Sequence, residues 1–252
     1  MAPYQESDLL KTADKPTVQA INIWHSQSSQ MLGNLLEVVV DNRRNHPNFA
    51  SFDGEFNTAF PAGYKGQVVL SVWLDSFPNY KPLILTHEVG HWVLKFQGFR
   101  AFIRQPRDAA LEGLFNDVAS HSLLYALQKS IGQDPQAEID SRCAHNIRLS
   151  SQPKKGDPII CGLMMADDWM NCSGYKMRQK LKWTLQKYQP QTWRMLESIL
   201  NVASQYDLSK PETNIRFRKE LLKVLKITGA WTEKDDIEQT KKLILEVEGS
   251  KS

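Results

Sequence analysis

The sequence predicts an α+β fold on three observations. Gln67 to Leu74 (Gln-Val-Val-Leu-Ser-Val-Trp-Leu) is β-branched and aromatic and is entered through Gly66 after the turn-prone Ala62-Gly63-Tyr64-Lys65, so it reads as a strand. Pro82 to about Gln97 follows as an apolar helix, with Pro82 in the first turn, where a missing N–H costs nothing, and Gly98 as its stop. From about Arg107 to the end, apolar residues recur at helical spacing. A small sheet should therefore lie in the first half of the chain and helices in the second.

The remaining elements follow in order. The first ten or so residues read as a loose lead-in. Thr17 to Val40 is helix-like, with Ile21, Trp24, Leu32, Leu35, Leu36 and Val39 near helical spacing. Asp41 to Gly66, rich in Asn, Pro and Gly, reads as loops and short extended pieces. A helix over about 107–129 is closed by Gly132, and further helices are expected over about 135–149, 159–188, 191–206, 213–226 and 233–248. Ser150 to Pro158 is the best linker. The expected division is a core over 1–130 and a helical region over 131–252.

Bulk composition narrows the function classes. The 252 residues are enough to bury a core without disulfides, and 41% hydrophobic with 23% charged is ordinary for a globular chain. A net charge of +3 is too mild to point to nucleic acid as a partner. Three irregularly spaced cysteines fit a reducing compartment better than a disulfide framework. The polar start lacks a leader-like apolar stretch, and the longest apolar runs, Val68–Leu74 and Ile159–Ala166, are too short to span a bilayer. The expectation is a cytoplasmic protein without a membrane partner.

The motif that carries chemistry is His87-Glu88-Val89-Gly90-His91. Residues four apart share a helical face, so both imidazoles can aim at one point. Zinc takes neutral imidazole nitrogen and tolerates an open fourth position. Glu88 lies one residue round the helix, beside such an ion, where it can carry a proton from water to a leaving amine. The flanking Leu83-Ile84-Leu85 and Trp92-Val93-Leu94 make the helix a buried one, in which two histidines and a glutamate are costly unless something satisfies them. Gly90, about 1 kcal/mol worse than Ala inside a helix, suggests that another element comes close.

On these residues the chain resembles the zincin clan and, within it, the gluzincins, whose third zinc ligand is a glutamate on the next helix. The resemblance covers about Asn57 to Leu127. The segment Leu111 to His121 is similar to the E-x-x-A-N-x-F-A helix of ImmA/IrrE-type metallopeptidases, with Glu112 matching the ligand, Asn116 the asparagine, Val118 the aromatic position and Ala119 the alanine. It departs at Phe115, where the family prefers a small residue. The resemblance implies a zincin-like core and a zinc metallopeptidase acting on a protein or peptide substrate, with zinc on His87, His91 and Glu112 and with Glu88 as general base. A second register puts Asp117 on the ion with His121 bonded behind it. His121 or Tyr125 is the candidate donor to the oxyanion. The resemblance also makes Gln67–Leu74 an edge that holds extended substrate; an interior strand is the equal alternative. Residues 131–252 are then left for substrate selection, regulation or a protein partner. The competing reading is a catalytically silent zinc-binding regulatory or interaction protein.

Other features have plainer readings. Cys143, His145, Cys161 and Cys172 lack the short pairs of a structural zinc module and read as small buried thiols. Lys176, Arg178, Lys180, Lys182 and Lys187, with Tyr175, Trp183 and Tyr188 between them, read as a solvated face whose aromatics turn inward. His25 and His46 read as surface or loop residues. The adjacent Asp167 and Asp168 point in different directions and do not form an acid pair by themselves.

Overall fold

A computed structural model describes residues 3–45, 57–152 and 156–250. The chain is mixed α and β, mostly helical, with one small three-stranded sheet and a two-stranded ribbon among the described residues. Its backbone groups into two compact units that do not follow the expected division at residue 130. The first comprises 1–98, 126–133 and 235–252; the second comprises 99–125 and 134–234. The C-terminal half therefore supplies both units, because its last helix belongs with the N-terminal sheet.

The first unit begins with α1 (Glu6–Thr12) and α2 (Lys15–Leu32). The expected loose lead-in is thus a helix, anchored because the buried Glu6 carboxylate accepts from Val38 N–H at 2.7 Å and meets His25 Nε2 at 2.9 Å. His25 is accordingly a partly buried partner and not an ordinary surface residue. Helix α2 starts where Asp14 accepts from Thr17 N–H at 2.9 Å. It ends at Gly33, whose φ of 74° is a left-handed cap that a side chain would resist. The helix expected through Val40 stops there, and the β-branched Val38-Val39-Val40 becomes β1 (Val38–Asn42). His46 lies outside the described residues.

Strands β2 (Thr58–Tyr64) and β3 (Gln67–Leu74) complete the sheet in the order β1-β3-β2, with β1 parallel and β2 antiparallel to β3. Gln67–Leu74 is the strand expected from sequence, but it is interior. Its backbone is paired on both sides, so the edge reading is overturned. Val68, Val69, Leu70, Val72 and Leu74 are all buried, which is the pattern of a strand covered on both faces.

Helix α3 (Pro82–Phe96) follows as expected and packs on α2 and on the sheet. Leu85, Val89, Trp92, Val93 and Phe96 join Trp24, Leu70 and Val72 in one core. Trp92 Nε1 donates to Ala59 O at 2.6 Å, which fixes the helix against β2. Gly90 lines a small void with Ala20 and Ile23 of α2 and with Leu127 and Ile131. The unit ends with α10 (Asp236–Gly249), whose Ile244 enters the same core.

The second unit opens with β4 (Ala101–Gln105), in a stretch to which the sequence analysis assigns no element, and continues with α4 (Ala109–Ser130), a helix that runs on into the first unit. Then come α5 (Gln136–Ser150), α6 (Pro158–Asn171), α7 (Tyr175–Tyr188), α8 (Pro190–Ala203), α9 (Pro211–Val224) and β5 (Ala230–Lys234). Strand β5 pairs antiparallel with β4. The single helix expected over 159–188 is two, broken at Cys172-Ser173-Gly174, where Gly174 has a φ of 77°. Of the expected linker, Ser150 closes α5, and Asp157 caps α6 through the N–H groups of Ile159 and Ile160. The core joins Phe115, Val118, Leu163, Leu181, Leu196, Phe217 and Leu221. No described helix is long and apolar enough to cross a membrane.

Candidate metal centre

In the first unit, α3 presents the motif. The helix interior is buried, and His87, Glu88 and His91 are the partly exposed residues of its central turns. The two rings stand nearly perpendicular, at 85°, with centroids 4.8 Å apart and Nε2 to Nε2 at 3.2 Å. Two nitrogens each about 2.0–2.1 Å from one zinc ion and a tetrahedral angle apart would be separated by about 3.3 Å. The pair therefore has the ligand-to-ligand spacing that zinc requires, on the donor type it prefers. In the metal-free chain the same distance lets one ring donate its N–H to the other's lone pair. Glu88 is the next residue round the helix.

The turn before His87 is held firmly. Gln128, near the end of α4, donates to Leu83 O at 2.9 Å and to Thr86 Oγ at 3.1 Å. The buried Thr86 hydroxyl also donates to Leu83 O at 3.0 Å and meets Gln133 Oε1. These bonds satisfy polar groups inside an apolar helix and fix the rotation of the turn from which His87 projects.

In the second unit, α4 carries the acids expected to complete the site. Glu112 is buried in its first turn; one of its oxygens accepts from Arg104 N–H at 3.1 Å and pairs with Arg107 Nε at 3.0 Å. Asn116 binds β4 like a piece of backbone, accepting from Phe102 N–H at 2.8 Å and donating to Phe102 O at 2.9 Å. Phe115, the departure from the family pattern, is fully buried against Trp231 of β5 and Phe102 of β4, with centroids at 4.7 and 6.1 Å. A small residue there would leave the ribbon unpacked.

His121 is buried on α4 two turns further on. Its Nδ1 meets Asp167 Oδ2 at 3.0 Å, while its Nε2 faces Asp117 Oδ1 at 3.5 Å, too far for a strong hydrogen bond. Asp167 is itself clamped, by Arg142 at 2.6 Å and Asn171 Nδ2 at 2.8 Å. Arg142 also donates to Asp168 Oδ1 at 2.9 Å and to the Tyr125 hydroxyl at 3.1 Å, and Asn146 donates to Asp168 Oδ2 at 2.7 Å. Burial pulls the His121 pKa down, but Asp167 and Asp117 more than reverse this and raise it to about 9. A carboxylate behind Nδ1 is the arrangement that orients a metal-ligating histidine.

The structure thus brings His87 and His91 together, engages Glu112 with Arg104 and Arg107, and places Asp117 beside His121. Asp167 and Asp168, set aside in the sequence reading, prove to be joined by one arginine. The signal was present: two carboxylates on the otherwise apolar α6 need a cation, and Arg142 on α5 is that cation. Burial pushes the Asp168 carboxyl up, opposed by Arg142 and Asn146. Cys143 and Cys172 are buried free thiols as expected, while Cys161 is a partly exposed one. No protein-family model, no curated protein and no solved structure matches the chain.

Proposed function

We propose that the chain is a zinc-dependent metallopeptidase with a zincin-like core, in which His87 and His91 are nitrogen donors to the ion, α4 supplies the third ligand and Glu88 is the proton carrier. The observation that carries this reading is the 3.2 Å spacing of the His87 and His91 Nε2 atoms on one face of a buried helix, with Glu88 between them in sequence.

As that third ligand, His121 is preferred to Glu112 on the partners each already holds. The Glu112 carboxylate already serves Arg104 and Arg107, whereas His121 has its Nδ1 held from behind by Asp167. Asp117 remains as a neighbour of the other His121 nitrogen, Nε2.

Zinc, when bound, supplies Lewis acidity to a scissile carbonyl and brings the pKa of a water toward neutrality. His87 and His91 each offer an Nε2 lone pair. Asp167, accepting a hydrogen bond from His121 Nδ1, would orient the ring and favour the tautomer that coordinates through Nε2. Glu88 takes a proton on its carboxylate and passes it to the leaving amine.

Metal analysis of purified protein and hydrolysis of a casein-derived peptide mixture test this together. The expected result is about one zinc ion per chain, lost in His87→Ala, and peptide cleavage that falls by roughly 10²- to 10⁴-fold in Glu88→Gln while the zinc remains. A chain that neither holds nor takes up metal sinks the proposal. Tightly held zinc without cleavage leaves the silent zinc-binding protein.

A further inference from the structure

Helix α7 differs from the other helices in its surface. Over Tyr175–Tyr188 it carries Lys176, Arg178, Lys180, Lys182 and Lys187 and not one carboxylate. Lys176, Lys180 and Lys187 are exposed, and neither they nor Lys182 have an acidic partner among the described residues. The aromatics between them do not turn inward as the sequence suggested: Tyr175 is 74%, Trp183 57% and Tyr188 41% exposed. Burial is taken up instead by Leu181, Thr184 and Leu185 on the opposite side. Trp183 and Tyr188 stand edge to face at 6.1 Å, and the Lys187 ammonium lies 4.8 and 4.9 Å from their ring centroids. Lys176, Lys180, Trp183 and Lys187 follow one another at helical spacings of four, three and four, so they form one outward stripe.

We infer that this stripe of α7 is a docking surface for a single-stranded nucleic acid. The lysines neutralise phosphates, and the open ring faces give unpaired bases something to stack on. The combination selects among polyanions. A duplex keeps its base faces stacked inside, so it could use only the lysines, whereas unpaired RNA presents them. An anionic membrane calls for a continuous apolar side free to sink, and the apolar side of α7 is already buried in the protein. An acidic protein needs the charges but gives no reason for a tryptophan held open beside a lysine. The inference is independent of the zinc reading, since it uses no residue of that site.

Fluorescence anisotropy with a labelled U15 RNA strand tests it on the full chain. Three phosphate contacts through Lys176, Lys180 and Lys187 should give a slope of log affinity against log salt of about −2. Trp183→Leu should weaken binding by about tenfold or more, while Trp183→Phe, which keeps a ring, should stay within about threefold. The triple change Lys176→Gln, Lys180→Gln, Lys187→Gln should abolish both binding and salt dependence. Lys223→Gln on α9, an exposed lysine paired with Glu220, should change nothing. All these positions are at the surface, so melting temperatures should match wild type. The inference is overturned if U15 does not bind, if Trp183→Leu and the lysine changes leave binding intact, or if phosphatidylglycerol vesicles or the U15·A15 duplex bind more tightly than U15 through the same residues.

Discussion

The two units bury polar groups by different means. The first gathers apolar side chains around a three-stranded sheet, and the Thr86 hydroxyl and the Gln128 amide N–H there are satisfied by neighbouring backbone and side-chain oxygens. The second sinks Asp167, Asp168, His121 and Arg218 into a helical core and satisfies them with side chains and carbonyls distant in sequence. Arg142 serves the two aspartates, Asp167 serves His121, and Arg218 binds Asn214, Asn116 and the Arg100 carbonyl. Burial lowers the Arg218 pKa to about 10, a sign that neutral acceptors replace water around it only in part. The difference teaches where the histidines of each unit get their rigidity. The His87–His91 pair inherits it from a packed helix, and His121 from a charged network.

Breaking the network should show the largest effect. Arg142→Met removes the cation from Asp168, which is fully buried, and from Asp167, which is nearly so. Stranding those carboxylates should cost about 3–5 kcal/mol in denaturant unfolding, even though Arg142 itself is 38% exposed. The loss should shrink on acidification. Without Arg142 the folded-state pKa of Asp168, already pushed up by burial, rises further above its unfolded value, so the folded chain binds the extra proton as pH falls. A loss as large at pH 5 as at pH 7 would mean that the network acts through packing and not through charge.

Leu85→Ala on α3 is the matching change in the first unit. Leu85 is 1% exposed, and truncating it should cost about 3 kcal/mol through lost burial and the cavity left behind. That cost should be the same at pH 5 and pH 7. If both variants responded alike to pH, the contrast between the units would fail.

These contrasts explain how much of the molecule its sequence revealed. Gln67–Leu74 and Pro82–Phe96 were legible because hydrophobic period, turn residues and Pro placement act within a few residues. Val38–Val40 reads as the end of a helix because three valines fit either period until Gly33 is known to cap α2. Strands β4 and β5 were missed because their pairing joins Ala101 to Lys234, and neither five-residue piece announces itself alone. For the site, His87, Glu88 and His91 were legible from spacing on one helix. The support of His121 was not, since Asp167 lies 46 residues away and no local rule links them.

Asp167→Asn sharpens the comparison at the site itself. The substitution keeps the shape and the contact to Asn171 but removes the charge behind His121 Nδ1. Zinc affinity should weaken about 10- to 100-fold in competition with a fluorescent chelator, with little change in secondary structure. Unchanged affinity would argue that His121 is not a ligand, and would return attention to Glu112.

The smallest expected effect falls at Gly174, and it separates local from distant causes most cleanly. Its φ of 77° marks the break between α6 and α7, yet a methyl group there would meet nothing within 4 Å. Gly174→Ala should therefore cost only the backbone strain, about 1 kcal/mol, with no steric clash added. If Gly174 makes the break, alanine should strain it without removing it, because Leu181 and Leu185 hold α7 in the core on one side and Leu163 and Met165 hold α6 on the other. Circular dichroism should then show unchanged helicity alongside the small loss in stability. A gain in helicity at no cost in stability would mean that 159–188 prefers to be one helix, as its periodicity alone suggests, and that the packing of the second unit tolerates either form.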